Sequence, residues 1–200
     1  MFFNFRYKQL TTTIETGMKS EFGSDLAEAL KTLRSGGVIL YPTDTVWGLG
    51  CDATNARAVS RIFEIKKRAD NKSLIILVNS AAMLTRYVDN PPEVALQIAE
   101  FSEKPLTIVY DRGRSIAEGV ASADGSVAVR VCNEPFCEAL IDALRKPLVS
   151  TSANISGTTA PARKNSLPGA WTAPKTFVAA RWRWATFRTS VPNWRRNRPT

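Results

Sequence analysis

Hydroxyl, amide and carboxylate side chains cluster at two places where an apolar run of the sequence ends. The first cluster, Thr-Asp-Thr at 43–45, follows the apolar residues 38–41. The second, Ser-Thr-Ser-Ala-Asn at 150–154, follows Pro-Leu-Val at 147–149. Such groups can hold a phosphate or the carboxylate of an amino acid. They also bond their own backbone in turns and helix caps, and the sequence leaves both roles open.

Basic side chains form a third candidate cluster at the end of a predicted helix. Lys66, Arg68 and Lys72 fall within seven residues, so they could converge on a polyphosphate. Basic residues in a last helical turn also simply complement the helix dipole. Arg130 stands inside an apolar run at 127–131. There it either solvates an edge strand or serves as a buried anion ligand.

The composition excludes several classes of chemistry. The chain has no histidine, which rules out catalysis by an imidazole. Its three cysteines, Cys51, Cys132 and Cys137, are odd in number and lack metal-like spacing, so we expect a reducing cytoplasm without a disulfide framework or zinc site. No P-loop motif occurs. Many hydroxyls and several cations favour a nucleoside triphosphate site that works by positioning and charge neutralisation.

Helical and strand-like patterns alternate along the chain, which predicts an α/β fold with a twisted sheet of mixed direction and flanking helices. The first helix is predicted to follow a Ser24 cap and to stop at Gly36. The glycine-rich stretch 42–50 is interpreted as a loop that leaves the carboxyl end of a strand, where ligands usually bind. Further helices are predicted from about Asn55 and over 81–88, 92–101 and 134–144, and strands over 38–41, 74–78, 106–110, 127–131 and 147–150.

The excess of positive over negative charge lies at the C-terminal end of the chain, because the 18 basic residues before Arg163 are balanced by 18 acidic ones. The net charge is +9, yet nine of the 27 basic residues lie from Arg163 onward, and the last acidic residue is Asp142. Four of the five tryptophans also lie there. We therefore predict a poorly ordered extension at 1–23, a globular domain at 24–162 and a basic tail at 163–200. The tail is either a solvated, disordered segment or a non-native one translated out of frame.

Five motifs together resemble the YrdC family of threonylcarbamoyl-AMP synthases, in the family's order, from about 25 to 161. They are YPTDTVWGLG at 41–50, IKKR at 65–68 with KSL at 72–74, PLT at 105–107, VAVRV at 127–131, and SANISG at 152–157. The resemblance implies a nucleotidyltransferase that makes threonylcarbamoyl-adenylate and pyrophosphate from L-threonine, bicarbonate and ATP. It also implies a YrdC-like fold with a concave, positively charged ligand surface.

The resemblance implies roles for particular residues. Thr43, Arg130 and Ser150 would bind L-threonine. No residue is implied as a covalent or acid–base catalyst. Mg²⁺ would arrive with ATP, and neither a protein-bound metal nor an organic cofactor is implied. The residues implied to bind ATP are Lys66, Arg68, Lys72, Ser126, Ser152 and Asn154.

The family also implies a place in tRNA modification. The product would pass to a separate transferase complex that modifies adenosine 37 of tRNA, in the cytoplasm and without a membrane. Family members are associated with double-stranded RNA, and the cations and tryptophans of the tail could bind phosphates and stack on bases. A double-stranded RNA or tRNA-binding module is therefore one alternative function, and an inactive nucleotide-binding family member is another.

The chain departs from the family pattern at four places. Ala69 and Ser73 stand where the family usually has proline, and Trp47 stands where tyrosine is commoner. Beyond Ala162 the family continues with a helix, further strands and a Ser-Thr-Ile-Val segment that closes over the ligands. The sequence at 163–200 shows no such pattern. The resemblance therefore predicts a domain that is incomplete at its C-terminal end and lacks part of one wall of the pocket.

Overall fold

The computed structural model describes residues 23–67, 74–154 and 178–179. Arg68 and Lys72 of the predicted ATP site lie outside the described residues, as do the departures at Ala69 and Ser73. Nearly all of the predicted extension and tail lies outside them as well. The predicted boundaries of the domain at 24 and 162 therefore remain predictions.

The described residues form five helices and seven strands. The helices are α1 Gly23–Arg34, α2 Ala56–Lys66, α3 Ala81–Leu84, α4 Glu93–Phe101 and α5 Pro135–Leu144. The strands are β1 Ile39–Tyr41, β2 Gly48–Asp52, β3 Ile75–Val78, β4 Ile108–Tyr110, β5 Val127–Val131, β6 Leu148–Ser152 and β7 Val178–Ala179. Among the described residues, no helix is both long and apolar enough to cross a membrane.

The strands form one sheet in the order β4-β5-β3-β6-β2-β1-β7. Two neighbouring pairs, β3 with β5 and β1 with β7, run parallel, and the other four pairs run antiparallel. The prediction of an α/β fold with a sheet of mixed direction is therefore confirmed. The two hydroxyl-bearing segments of the sequence lie close together as a result, because β6 pairs with β2 and β2 leads back through a short loop to β1.

Amphipathic helices pack against the sheet, and helices and strands both contribute to the hydrophobic core. One face of α2 buries Ala58, Val59, Ile62 and Phe63. One face of α5 buries Phe136, Leu140, Ile141 and Leu144. Burial of each large apolar side chain contributes about 1.5–3 kcal/mol to stability. Helix α2 ends at Lys66, and α5 precedes β6, which carries Ser150 and Ser152. The packing of both helices in the core therefore also positions these residues.

The prediction that the whole stretch 42–50 is a loop is wrong at its second half. Gly48–Asp52 is the strand β2, buried along its entire length between β1 and β6. A Cβ atom at Gly50 would lie 2.6 Å from Cε1 of Tyr41 and 2.7 Å from the carbonyl oxygen of Val149. The glycine is therefore required by close packing inside the sheet, and its presence imitates the composition of a loop.

Two predicted helices differ from the structure at their ends. The helix expected over 81–88 stops at Leu84, because the backbone beyond it bonds to the segment 112–114: Val88 bridges Gly113, and Asp89 N–H donates to Arg112. Helix α1 begins at Gly23, so Ser24 lies inside its first turn and the predicted cap position is wrong by at least one residue.

Candidate functional site

The hydroxyl of Thr43 organises the loop between β1 and β2. Its Oγ1 donates to the carbonyl of Val46 at 2.6 Å and accepts the backbone N–H groups of Thr45 and Val46, both at 3.2 Å. Cys137 on α5 anchors the same loop from outside, through an Sγ–H group that donates to the carbonyl of Pro42 at 3.2 Å. The turn-forming role that the sequence left open is therefore observed for Thr43.

Arg130 of β5 lies where this loop meets the segment before β4. Its Nη1 donates to Oδ1 of Asp44 at 2.9 Å, and its Nε donates to Oγ1 of Thr107 at 3.0 Å. A longer contact of 3.4 Å joins Nη1 to Oγ1 of Thr45. The side chains of Arg130 and Asp44 are each only 14% exposed. Because β5 lies between β4 and β3, the explanation of Arg130 as an edge-strand residue is wrong.

Lys66, Ser152 and Asn154, three of the residues predicted to bind ATP, form one cluster. The Lys66 side chain is 3% exposed, and its ammonium donates to the carbonyls of Ser152 and Asn154 at 2.6 and 2.9 Å. It also lies 3.3 Å from Oδ1 of Asn154, which accepts the Ser152 hydroxyl at 2.5 Å. The cluster ties the last turn of α2 to the end of β6. We call it the Lys66 cluster.

The pairing of β6 with β2 places Ser150 beside the glycines of β2. Ser150 is paired with Gly50 and is buried, and Ser152 is paired with Gly48. A Cβ atom at Gly48 would lie 3.1 Å from Cγ2 of Thr43 and 3.4 Å from Oγ of Ser150. Thr43 and Ser150, two of the residues predicted to bind L-threonine, are therefore neighbours across one glycine.

The ring of Tyr41 packs against Gly48, and its phenol is buried. Its oxygen has no hydrogen-bond partner among the described residues. Burial raises the pKa of Tyr41 well above its ordinary value. The nearby Ser150 hydroxyl acts in the opposite direction, although no hydrogen bond of acceptable geometry joins the two oxygens. The phenol is therefore neutral at physiological pH and remains a potential donor or acceptor.

Ser126 lies at the opposite end of β5 from Arg130. It precedes β5 in a tight turn in which its N–H donates to Asp124 at 2.9 Å, and the Ser126 hydroxyl and N–H together lower the pKa of Asp124. Ser126 and Arg130 are four residue steps apart along the extended chain, a distance of about 13 Å. If both residues bind ligands, they bind different parts of one ligand or two different ligands.

A cavity of about 280 Å³ adjoins the ion pair of Arg130 and Asp44. Its lining includes Asp44, Glu134 and Leu106. Oε2 of Glu134 caps α5 by accepting the N–H of Cys137 at 2.8 Å. Burial, with a contribution from Asp44, raises the pKa of Glu134, while the N–H groups of Cys137 and Phe136 partly offset this. Among the described residues, no group of three or more acidic or cysteine side chains is placed to hold a metal ion.

Three residues of this region received no role from the sequence, although Asp44 belongs to the candidate cluster at 43–45. Asp44 and Thr107 hold Arg130, and Glu134 lines the cavity. Asp44 and Thr107 did lie within motifs, so their positions carried a signal. Glu134 carried none, because a helix-capping carboxylate has the same appearance in a sequence whether or not a cavity adjoins it. The arrangement as a whole can bind anions through Arg130 and hold neutral hydroxyls around them.

Comparison with known proteins identifies the family. A family model for Sua5, YciO and YrdC proteins, described as telomere recombination, matches residues 31–173. The chain belongs to the Sua5/YciO/YrdC family. It is 39% identical over 137 residues to the threonylcarbamoyl-AMP synthase of Pseudoalteromonas translucida, and the match covers 67% of this chain and 73% of that protein.

Solved structures of the Sua5/YciO/YrdC family share the fold. Sua5 of P. abyssi, solved as a complex with L-threonine, has a TM-score of 0.64 and 34% sequence identity, and the match covers 68% of this chain but 40% of that one. YciO of E. coli has a TM-score of 0.57 and 29% identity, with 66% of this chain and 65% of that one covered. The resemblance and fold expected from the motifs are therefore confirmed, and this chain spans well under half of P. abyssi Sua5.

Proposed function

We propose that the chain is a threonylcarbamoyl-AMP synthase, a nucleotidyltransferase that acts in tRNA modification in the cytoplasm. The observation that carries the proposal is the match of its domain to curated relatives of that name at about 40% identity. The amine of L-threonine bonds to the carbon of bicarbonate with loss of water, which gives a carbamate. A carbamate oxygen then attacks the α-phosphorus of ATP, and pyrophosphate leaves.

The chemistry requires that anions be held and stabilised, and the site is suited to this. Carbamate and adenylate intermediates are anionic, and preorganised cations and hydroxyls stabilise them without a covalent nucleophile. We assign L-threonine to Thr43, Arg130 and Ser150. The assignment is supported by the closeness of Thr43 to Ser150 across Gly48 and by the guanidinium of Arg130 at the other side of the loop.

We assign the nucleotide to the Lys66 cluster and to the remaining predicted residues. Because the Lys66 ammonium already donates to the Ser152 and Asn154 carbonyls, its first contribution is to hold the chain after β6 in place for ATP. Mg²⁺ would bind through the phosphates of ATP. The remaining residues assigned to ATP are Arg68, Lys72 and Ser126.

The test is a reaction of the full chain with L-threonine, bicarbonate and ATP. We expect release of pyrophosphate that depends on L-threonine, and threonylcarbamoyl-adenylate detected by mass spectrometry. Arg130→Gln should lower kcat/KM for L-threonine by about tenfold or more, because a charge-assisted contact to a carboxylate is lost. Arg61→Gln is the matched control, since Arg61 pairs with Glu64 on an exposed face of α2 and such pairs contribute little.

Two results would contradict this function. ATP binding without any adenylate product would indicate an inactive nucleotide-binding family member. Absence of both ATP binding and L-threonine binding would remove the proposal altogether.

A second candidate function rests on the composition of 163–200, which holds nine basic residues, no acidic residue and four tryptophans. Such a segment could bind tRNA or double-stranded RNA and present the product to a downstream transferase complex. We expect an affinity for double-stranded RNA that falls steeply between 50 and about 200 mM salt. Affinity unchanged by salt, or unchanged when all nine basic residues are replaced by glutamine, would contradict RNA binding by this segment.

A further inference from the structure

We propose that Asp44 is a positioning residue that orients Arg130 for the carboxylate of the amino-acid substrate and thereby sets the affinity for that substrate. The inference rests on the proposed function and deepens it. Asp44 is distinct from the residues assigned to L-threonine above, because it acts through the guanidinium of Arg130.

The hydrogen bonds of Arg130 leave one side of the guanidinium for a ligand. A guanidinium carries five N–H donors in a rigid, planar fork. Nε is used by Thr107, and Nη1 is used by Asp44 with a longer contact to Thr45. Within the described part of the chain, Nη2 makes no hydrogen bond. Its two N–H groups can therefore bind a carboxylate while the other contacts stay in place.

The position of Asp44 supports a permanent partner rather than a temporary substitute for the substrate carboxylate. Its loop is held on both sides of Asp44: the carbonyl of Pro42 accepts from Cys137, and the hydroxyl of Thr43 bonds Thr45 and Val46. A carboxylate on a loop fixed in this way is not free to leave when a substrate arrives.

Burial makes the contact selective for one orientation of Arg130. Both side chains are 14% exposed, so water competes weakly for the guanidinium. The two main partners, Asp44 and Thr107, come from separate segments, the loop between β1 and β2 and the residues just before β4. Without Asp44, the guanidinium keeps only the Thr107 bond at Nε and the longer Thr45 contact, and it can turn about Nε.

The experiment compares Asp44→Ala and Asp44→Asn with the wild-type full chain. We expect Asp44→Ala to raise KM for L-threonine about tenfold while KM for ATP changes less than about twofold. Asp44→Asn keeps an acceptor oxygen, so its rise should be smaller, about threefold. Lower KM for L-threonine in either variant would show that Asp44 competes with the substrate and would overturn the proposal.

A double-mutant cycle shows whether the effect passes through Arg130. In an Arg130→Lys background, where the planar fork is absent, Asp44→Ala should change L-threonine affinity by less than about twofold. The ¹⁵Nη–H signals of Arg130 give a readout without turnover: the Nη1–H group that donates to Asp44 should be protected in the wild type and exchange rapidly in Asp44→Ala. Additive effects in the cycle, or an unchanged Arg130 signal, would overturn the proposal.

Asp89→Ala is the matched control, because Asp89 faces Arg114 at 4.0 Å in an exposed pair. It should leave both KM values and the Arg130 signal as in the wild type, and thermal unfolding checks that every variant folds. Unchanged L-threonine affinity in a folded Asp44→Ala protein would overturn this inference alone. A wild-type protein that does not bind L-threonine would overturn the proposed function together with it.

Discussion

At the residue scale, burial keeps cysteine side chains of the core in the protonated, unreactive thiol form. Cys51 and Cys137 are fully buried in the core as free thiols. Burial raises the pKa of both thiols, and neighbouring groups such as Cys132 and Glu134 raise the pKa of Cys137 further. Because the thiolate is the reactive form, neither residue is suited to nucleophilic catalysis. Cys137 instead contributes a hydrogen bond to the loop at Pro42.

We therefore expect the native protein to react slowly with a disulfide reagent such as DTNB at pH 8. All three cysteines, including the buried Cys132, should react at the rate of unfolding and titrate completely in denaturant. The absorbance of the released thiolate measures both rates. A thiol that reacts within seconds in the native protein would contradict the prediction and show that this cysteine is accessible to solvent.

Glu134 gives the stability of the protein a defined dependence on pH. Its pKa is raised in the folded state, mainly by burial, so the folded protein binds more protons than the unfolded chain. Stability from this group is therefore greatest below the unfolded pKa and falls as pH rises from that value to the folded pKa. The window begins near pH 4, the ordinary value for a glutamic acid.

Glu134→Gln should remove this dependence. The free energy of unfolding of the variant, relative to wild type, should rise as pH increases above about 4. Urea titrations at several pH values measure it. A constant difference between Glu134→Gln and wild type would mean that Glu134 keeps its ordinary pKa.

At the element scale, β2 depends on two glycines that tolerate substitution differently. A Cβ atom at Gly50 would lie 2.7 Å from a backbone carbonyl of β6, which cannot move without breaking the sheet. At Gly48 its nearest contacts, at 3.1–3.4 Å, are all side-chain atoms. Both residues are glycines of β2, so the same substitution at each of them forms a matched pair of variants.

Gly50→Ala should lower the free energy of unfolding by about 1–3 kcal/mol, the usual cost of overpacking. Gly48→Ala should cost less and should act mainly on the site, by displacing Thr43 and Ser150. Denaturant titration measures the first effect and KM for L-threonine the second. Equal destabilisation by the two substitutions would mean that β6 adjusts to a methyl group at Gly50.

The comparison of sequence and structure is most instructive at β2. Hydrophobic periodicity was sufficient to predict α2 and α5, because the apolar residues of an amphipathic helix recur on the face that it buries. Hydrophobic periodicity did not predict the strand Gly48–Asp52. Its glycines are needed because the Tyr41 ring and β6 pack closely against them, and β6 lies about 100 residues further along the chain. In the site, residue types indicated Lys66 and Asn154, but their contact spans 88 residues and follows only from the sheet order.

At the scale of the whole molecule, the sheet order predicts where the structure opens last. Strands β3, β6 and β2 are paired on both sides, whereas β4 is at one edge and has only β5 beside it. Amides in the doubly paired centre should exchange hydrogen only through global unfolding, and those of β4 through smaller openings. Hydrogen exchange followed by mass spectrometry measures this. Faster exchange in β6 than in β4 would contradict the prediction.

The place of β6 also has a consequence for how the protein is made. This strand lies between two sets that are complete earlier in the chain, β1 with β2 and β3 with β4 and β5. Until residues 148–152 leave the ribosome, a nascent chain can form only two partial sheets, each with an exposed edge that invites wrong pairing. The strand that joins them carries Ser150 and Ser152 and leads to Asn154. The joining of the two partial sheets and the assembly of the site are therefore one folding event, which cannot occur before residues 148–152 have been synthesised.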